Sequence, residues 1–167
     1  MQEIDFYLVD AFSNASFGGN PAAVCPLDAW LPDETLLRMA QQHNQSETAF
    51  FVCSKAGIEL RWFTTLTEVN LCGHATLAAA YVLFNELNYP DPRIHFDTAS
   101  GQLTVSREGD WMTLDFPACP TQEETPPPAM LAALGIGHYV EAVRGEPGWW
   151  FWKTASRLRR SRQISRQ

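Results

Sequence analysis

The twenty residues from Arg61 to Ala80 run from an alternating apolar pattern straight into a stretch made almost wholly of small apolar residues. Alternation of period two makes a strand with one buried face, whereas a continuous run of small apolar residues makes a helix buried on all sides. A chain that holds both, joined by the tight corner Cys72-Gly73-His74, has to curl its sheet around that helix to cover it. The expected architecture is therefore α+β, a mostly antiparallel sheet wrapped around a central helix.

The rest of the chain supplies the strands. Ile4 to Phe12 alternates and reads as a first strand, followed by a loop over Ser13 to Pro21 whose Gly18-Gly19-Asn20 core tolerates positive φ. Ala22 to Pro26 resumes a strand. Pro32 to His43 has helical spacing of Leu36, Leu37 and Ala40, with Asp33 at its start and Asn44 as its stop. Thr48–Cys53 and Ile58–Thr64 read as a hairpin. His74 to Leu87 reads as the central helix, and Arg93–Thr98, Gln102–Arg107 and Trp111–Phe116 read as a meander turned at Ser100-Gly101 and Gly109-Asp110. Pro117 to Pro128 is proline-rich and aperiodic, a connector, and Pro128 to Leu134 reads as a short helix stopped by Gly135.

Charge excludes several classes of partner. The formal net charge is -7, unsuited to nucleic acid or an anionic membrane, both of which need a basic surface. No apolar run approaches the roughly 20 residues that span a bilayer, and no signal-peptide pattern opens the chain, which suggests a cytoplasmic protein. Cys25, Cys53, Cys72 and Cys119 lack paired-ligand spacing, so reduced and mostly buried thiols are expected, with no metal site.

Two segments carry chemistry. Glu47 stands at the head of the apolar run Thr48 to Phe51. A partly desolvated carboxyl there suits general acid/base work, although most glutamates simply face water. Ser46 beside it either donates to the carboxylate or caps the turn. At the second segment, free N–H groups at the start of the helix attract a carboxylate, Gly73 permits close ligand approach, and His74 can hydrogen-bond the anion or shuttle a proton. The helix start is expected to lower the pKa of Cys72, making it an alternative base; its plainer role is a small buried residue. His43, His95 and His138 have no ligand spacing and read as structural.

The ordered set Asp10-Ala-Phe12, Phe17-Gly-Gly-Asn-Pro-Ala-Ala-Val24, Ser46-Glu-Thr-Ala-Phe50, Arg61-Trp-Phe-Thr64, Glu68-Val69, Leu71-Cys-Gly-His-Ala-Thr76, Thr98-Ala-Ser-Gly101 and Leu114-Asp-Phe-Pro117 resembles the amino-terminal half of the phenazine-biosynthesis PhzF-like isomerase family. That resemblance implies a diaminopimelate-epimerase-like fold of two lobes with the active site between them, no metal or organic cofactor, and a homodimer. It implies Glu47 as the general acid/base that moves a proton between carbons of trans-2,3-dihydro-3-hydroxyanthranilate or a similar small carboxylic acid. Gly73 and His74 would contact this substrate, with Asn20 and Ser46 supporting the site. A related reading, a cofactor-independent racemase or epimerase, would use Cys72 as a base instead. A third is a non-enzymatic single lobe that self-associates.

Two departures from the family pattern stand out. Thr65 replaces the usual proline after Phe-Thr, which loosens that turn. The second lobe is expected to be absent, with residues 1–147 as the amino-terminal lobe and 148–167 as an atypical tail. Six of the twelve basic residues and no acidic one lie in the last 19 positions. Within it, Trp149-Trp-Phe-Trp-Lys153 is tightly constrained by the single tryptophan codon. Read one base earlier, the same codons give Leu, Met or Val followed by Val-Val-Leu-Glu, an ordinary buried strand. The tail is thus expected to be an out-of-frame or disordered segment of a truncated, impaired enzyme.

Overall fold

A computed structural model describes residues 3–13, 18–118, 120–145 and, as backbone, 149–153. Two compact units divide the chain, residues 1–116 and 117–164. The first unit contains the strands β1 (Tyr7–Ala11), β2 (Asn20–Leu27), β3 (Thr48–Ser54), β4 (Gly57–Phe63), β5 (Glu68–Val69), β6 (Arg93–Thr98), β7 (Gly101–Glu108) and β8 (Trp111–Asp115). They form a single sheet in the order β1-β2-β3-β4-β6-β7-β8, with β5 hairpinned onto β4.

Two of the ladders are parallel, β2 with β3 and β4 with β6, and each is bridged by a helix. Helix α1 (Asp33–His43) joins β2 to β3, and α2 (Gly73–Tyr81) lies in the connection from β4 to β6. The parallel pairs explain the continuous burial of Ala22–Cys25 and Thr48–Val52, since strands covered by helices on both faces have no solvent side. Neighbouring residues separate by period two. Val24, Ala49, Phe51 and Trp62 pack with α2, whereas Cys25, Phe50, Val52 and Phe63 pack with α1. The two helices thus cover opposite faces. Helix α2 is the more enclosed, with Ala75, Ala78, Ala79 and Ala80 all at most 1% exposed, because alanine lets the helix backbone sit close to the sheet.

Elements differ from expectation at instructive points. The first strand begins only at Tyr7, and Phe12 takes a positive φ of 63°. The central helix leaves α geometry after Tyr81 and continues as one π-helical turn, Val82–Glu86. Its composition is as helical as what precedes it, so the change of hydrogen-bond pattern leaves no trace in the residue pattern. Of the cysteines, Cys25 and Cys72 are buried and Cys53 is exposed; Cys119 lies outside the described residues. Asn44 ends α1 in the left-handed region at φ 52°, its N–H bonded to the Ala40 carbonyl at 3.1 Å. Asn44→Ala should therefore cost about 1 kcal/mol in chemical denaturation, since alanine lacks asparagine's tolerance of that region, and Asn44→Gly should cost less.

The second unit holds β9 (Thr121–Glu123), α3 (Pro128–Ala133), β10 (Glu141–Gly145) and β11 (Trp149–Lys153), with strands in the order β11-β10-β9. The connector expected over Pro117 to Pro128 thus contains a strand. Its three residues are held by pairing with β10, a long-range partner that local composition does not reveal. Helix α3 has Pro128 in its first turn, and Gly135 follows at φ 66°. From the expected tail, Trp149–Lys153 pairs antiparallel with β10; residues 154–167 lie outside the described residues.

Candidate active site

The sheet order places the starts of β2 and β3 beside the amino-terminal end of α2. Glu47 immediately precedes β3, and its carbonyl accepts the Ala23 N–H at 3.3 Å, so the parallel ladder fixes its backbone. Its side chain is 21% exposed, and Oε2 lies 3.3 Å from Nε2 of His74. Ser46 Oγ lies at the same distance from the same nitrogen. His74 itself is buried in the first turn of α2, and its other nitrogen, Nδ1, is 3.4 Å from Cys72 Sγ. Two segments far apart in the chain, Ser46-Glu47 and Cys72-Gly73-His74, therefore meet at one imidazole.

The corner that presents His74 is built closely. Cys72 is extended at φ -150° and caps α2 without a side-chain bond to it. Its carbonyl is held by Thr76, through the backbone N–H at 3.2 Å and the buried hydroxyl at 2.5 Å. A Cβ added to Gly73 would stand 3.2 Å from Cε2 of Phe116, a tight contact that this exposed ring would have to relieve by shifting a few tenths of an ångström. Behind the corner, the Ser100 hydroxyl donates to the Asn70 carbonyl at 2.8 Å. Arg61 clamps the preceding hairpin with two 2.7 Å bonds to Glu68 and a third to Asp33 at 2.9 Å, and stacks on Trp30 and Phe63. Arg61 supports the corner from outside the site.

Electrostatics decide what each group can do. Burial lowers the pKa of His74, partly offset by the negative charge of Glu47 and the Pro21 carbonyl. The ring is thus neutral at pH 7, and its contact with Glu47 is a hydrogen-bonding approach, not an ion pair. For Cys72 the expected lowering is reversed. Burial pushes the thiol up to about 11 and the Glu47 charge adds to this, against the opposing amides of Ala75 and His74. The helix start acts on Cys72 in the expected direction, but desolvation outweighs it.

Glu47, Cys72 and His74 are metal-ligating types, with one donor atom from each lying within 4.8 Å of the others. The carboxylate and the thiol, however, approach opposite nitrogens of the ring. An ion bound through one ring nitrogen would have the other of these two groups on the far side of the ring. The arrangement suits proton handling better than metal binding.

Among the residues singled out by sequence, Ser46, Glu47, Cys72, Gly73 and His74 converge. Asn20 opens β2 opposite Ala11 with its side chain exposed, one residue before Pro21. Two further contributors come from the quoted motifs. The Pro21 carbonyl acts through the backbone of the Gly18-Gly19-Asn20-Pro21 turn, whose glycine-rich backbone is itself a weak signal of a ligand-lining segment. Phe116 is visible only as part of the Leu114-Asp-Phe-Pro117 motif, and its packing against Gly73 is a long-range contact.

His74 also makes stability depend on pH. Its folded pKa lies below the ordinary 6.5, so the unfolded chain binds the proton more readily, and stability is full above that value and falls as pH drops below it. His43 is shifted the same way by burial. Denaturation at pH 7.5 and 5.5 should show a smaller acid loss for His74→Asn than for the wild type.

The lobe is of the α+β class, a curled sheet wrapped around a buried helix with an acid–imidazole corner at the helix start. The Phenazine biosynthesis-like protein family (PhzC-PhzF) matches residues 9–135, and the chain belongs to that family. A Pseudomonas aeruginosa protein named as an uncharacterized isomerase is 52% identical over 134 residues, covering 80% of this chain and 52% of the relative. The crystal structure of a PhzF-family phenazine biosynthesis protein from Enterococcus faecalis superposes with a TM-score of 0.81 at 42% identity, covering 89% of this chain and 56% of that one. A predicted epimerase from Pseudomonas aeruginosa, 20% identical with a TM-score of 0.62 over 85% of this chain and 56% of its own, shares the fold. The chain thus spans about half the length of the relatives it matches. Among the described residues no helix is long and apolar enough to cross a membrane.

Proposed function

We propose that this chain carries the acid/base half of an isomerase that moves a proton between carbons of a small carboxylic acid, with Glu47 as the proton carrier. The observation that carries the reading is the placement of the Glu47 carboxylate 3.3 Å from a buried, neutral imidazole at the open end of α2. Among the described residues no Lys or Arg pairs with Glu47, so its charge is not spent on a structural ion pair. Its carboxylate would take a proton from one carbon while the C–H electron pair moves into an adjacent unsaturated system. The resulting carboxylic acid would return the proton at a second carbon, leaving no net oxidation and needing no co-reactant. The α2 N–H groups and Gly73 would receive the substrate carboxylate, His74 and Ser46 would contact the substrate beside it, and Asn20 would border the site.

Family membership supports the reaction class, and trans-2,3-dihydro-3-hydroxyanthranilate is the natural first substrate to try. The racemase reading is weaker, because a buried thiol with a pKa of about 11 is a poor source of thiolate at neutral pH. The test is incubation of the chain with this acid in D2O, followed by NMR. Slow gain of deuterium at carbon is expected; no gain at saturating ligand would count against the proposal.

A further inference from the structure

We propose that Cys72 is a positioning residue that holds His74 as the neutral tautomer protonated on Nε2, so that the ring offers Glu47 and the substrate a hydrogen-bond donor and not a base. The proposal concerns the same corner as the function proposed above and rests on that reading for its catalytic meaning, though its evidence is independent of turnover.

The donors and acceptors around the His74 ring decide its tautomer. A neutral imidazole carries one N–H and one bare nitrogen, and the partners decide which is which. On the Nε2 side stand the Glu47 carboxylate, an acceptor only, and the Ser46 hydroxyl, each at 3.3 Å. The Pro21 carbonyl, also an acceptor only, acts on the ring as well. Acceptors therefore gather where an N–H is wanted.

On the Nδ1 side, Cys72 Sγ at 3.4 Å is the one side-chain partner among the described residues. With an acceptor-only carboxylate facing Nε2, Nδ1 is left as the bare nitrogen, and the Cys72 S–H is the group beside it able to donate. Burial keeps that proton in place. The thiol thus donates to Nδ1, which must be bare, and the ring proton is left on Nε2.

The consequence is a division of labour. An imidazole with its proton on Nε2 cannot take a proton from Glu47 or from carbon through that nitrogen, so Glu47 alone moves the proton and His74 steadies charge. Alanine at position 72 removes the donor and leaves Nδ1 free to carry the proton; serine restores an O–H donor.

The test is a long-range ¹H–¹⁵N correlation on the full chain labelled at histidine, at pH 7.5, with His74 assigned by the loss of its signals in His74→Asn. The wild type is expected to show a pyrrole-type Nε2 and a pyridine-type Nδ1. Cys72→Ser should keep that pattern, and Cys72→Ala should shift the population toward the Nδ1–H form. A wild-type spectrum with the proton on Nδ1, or a Cys72→Ala spectrum identical to the wild type, overturns the proposal. The wild-type spectrum needs no variant to fold. Because tautomer and turnover are read separately, failure here leaves the role of Glu47 standing, and failure of Glu47 leaves the tautomer intact.

Discussion

Glu47→Gln should lower the rate of carbon–deuterium exchange by about 10²–10⁴-fold, the usual contribution of a positioned acid/base. The substitution keeps the shape and a carbonyl acceptor at the same place but removes the carboxylate that would take and return the proton. Binding should change less than turnover, because the α2 amides that would receive the substrate carboxylate are untouched. Stability should also change little, within about 0.5 kcal/mol, since the side chain is partly exposed and pairs with no Lys or Arg among the described residues. A second signature accompanies the loss. The negative charge of Glu47 raises the pKa of both His74 and Cys72, so the variant should titrate His74 at still lower pH. A mutant that lost rate without moving the histidine titration would place Glu47 away from the ring.

Gly19→Ala should be among the most destabilising substitutions in the chain, at roughly 2–4 kcal/mol. Gly19 has φ 81°, and a Cβ there would lie 2.3 Å from the Ala11 carbonyl oxygen and 2.9 Å from Cβ of Ser13. The first fact costs about 1 kcal/mol for a non-glycine residue. The second forces the β1–β2 backbone apart at the point where it leads into Asn20 and Pro21. Gly101 provides the control, with φ 96° and nothing within 4 Å of the added Cβ. Gly101→Ala should show the conformational cost alone, so the difference between the two denaturation midpoints isolates the clash. Because the Pro21 carbonyl reaches His74, Gly19→Ala should also disturb the site. Equal losses for the two alanines would show that the Ala11 contact relaxes freely.

Most of the architecture is legible from periodicity. Alternation in Arg93–Thr98 and the strands after it marks the meander, and the alanines of α2 mark a helix that must be enclosed. Features created by distant partners are not legible in this way. The strand Thr121–Glu123 exists because β10 pairs with it, although its own composition is that of a loop. The site divides similarly. Glycine at a strand–helix corner and an acid heading an apolar run are visible locally, yet the encounter of Glu47 with His74 is a property of the sheet order, and in the sequence it rests on family resemblance alone. The raised thiol of Cys72 follows from the depth of burial, a tertiary quantity that overrules the local effect of the helix start.

The central claim is that the proton passes through Glu47 and not Cys72. Its most direct test is solvent-deuterium exchange into trans-2,3-dihydro-3-hydroxyanthranilate, measured side by side for the wild-type chain, Glu47→Gln and Cys72→Ala. The expected result is a slow wild-type exchange, lost in Glu47→Gln, with a smaller loss in Cys72→Ala that reflects misplacement of the His74 proton. Exchange that survives Glu47→Gln and disappears in Cys72→Ala would contradict the account and hand the chemistry to the thiol.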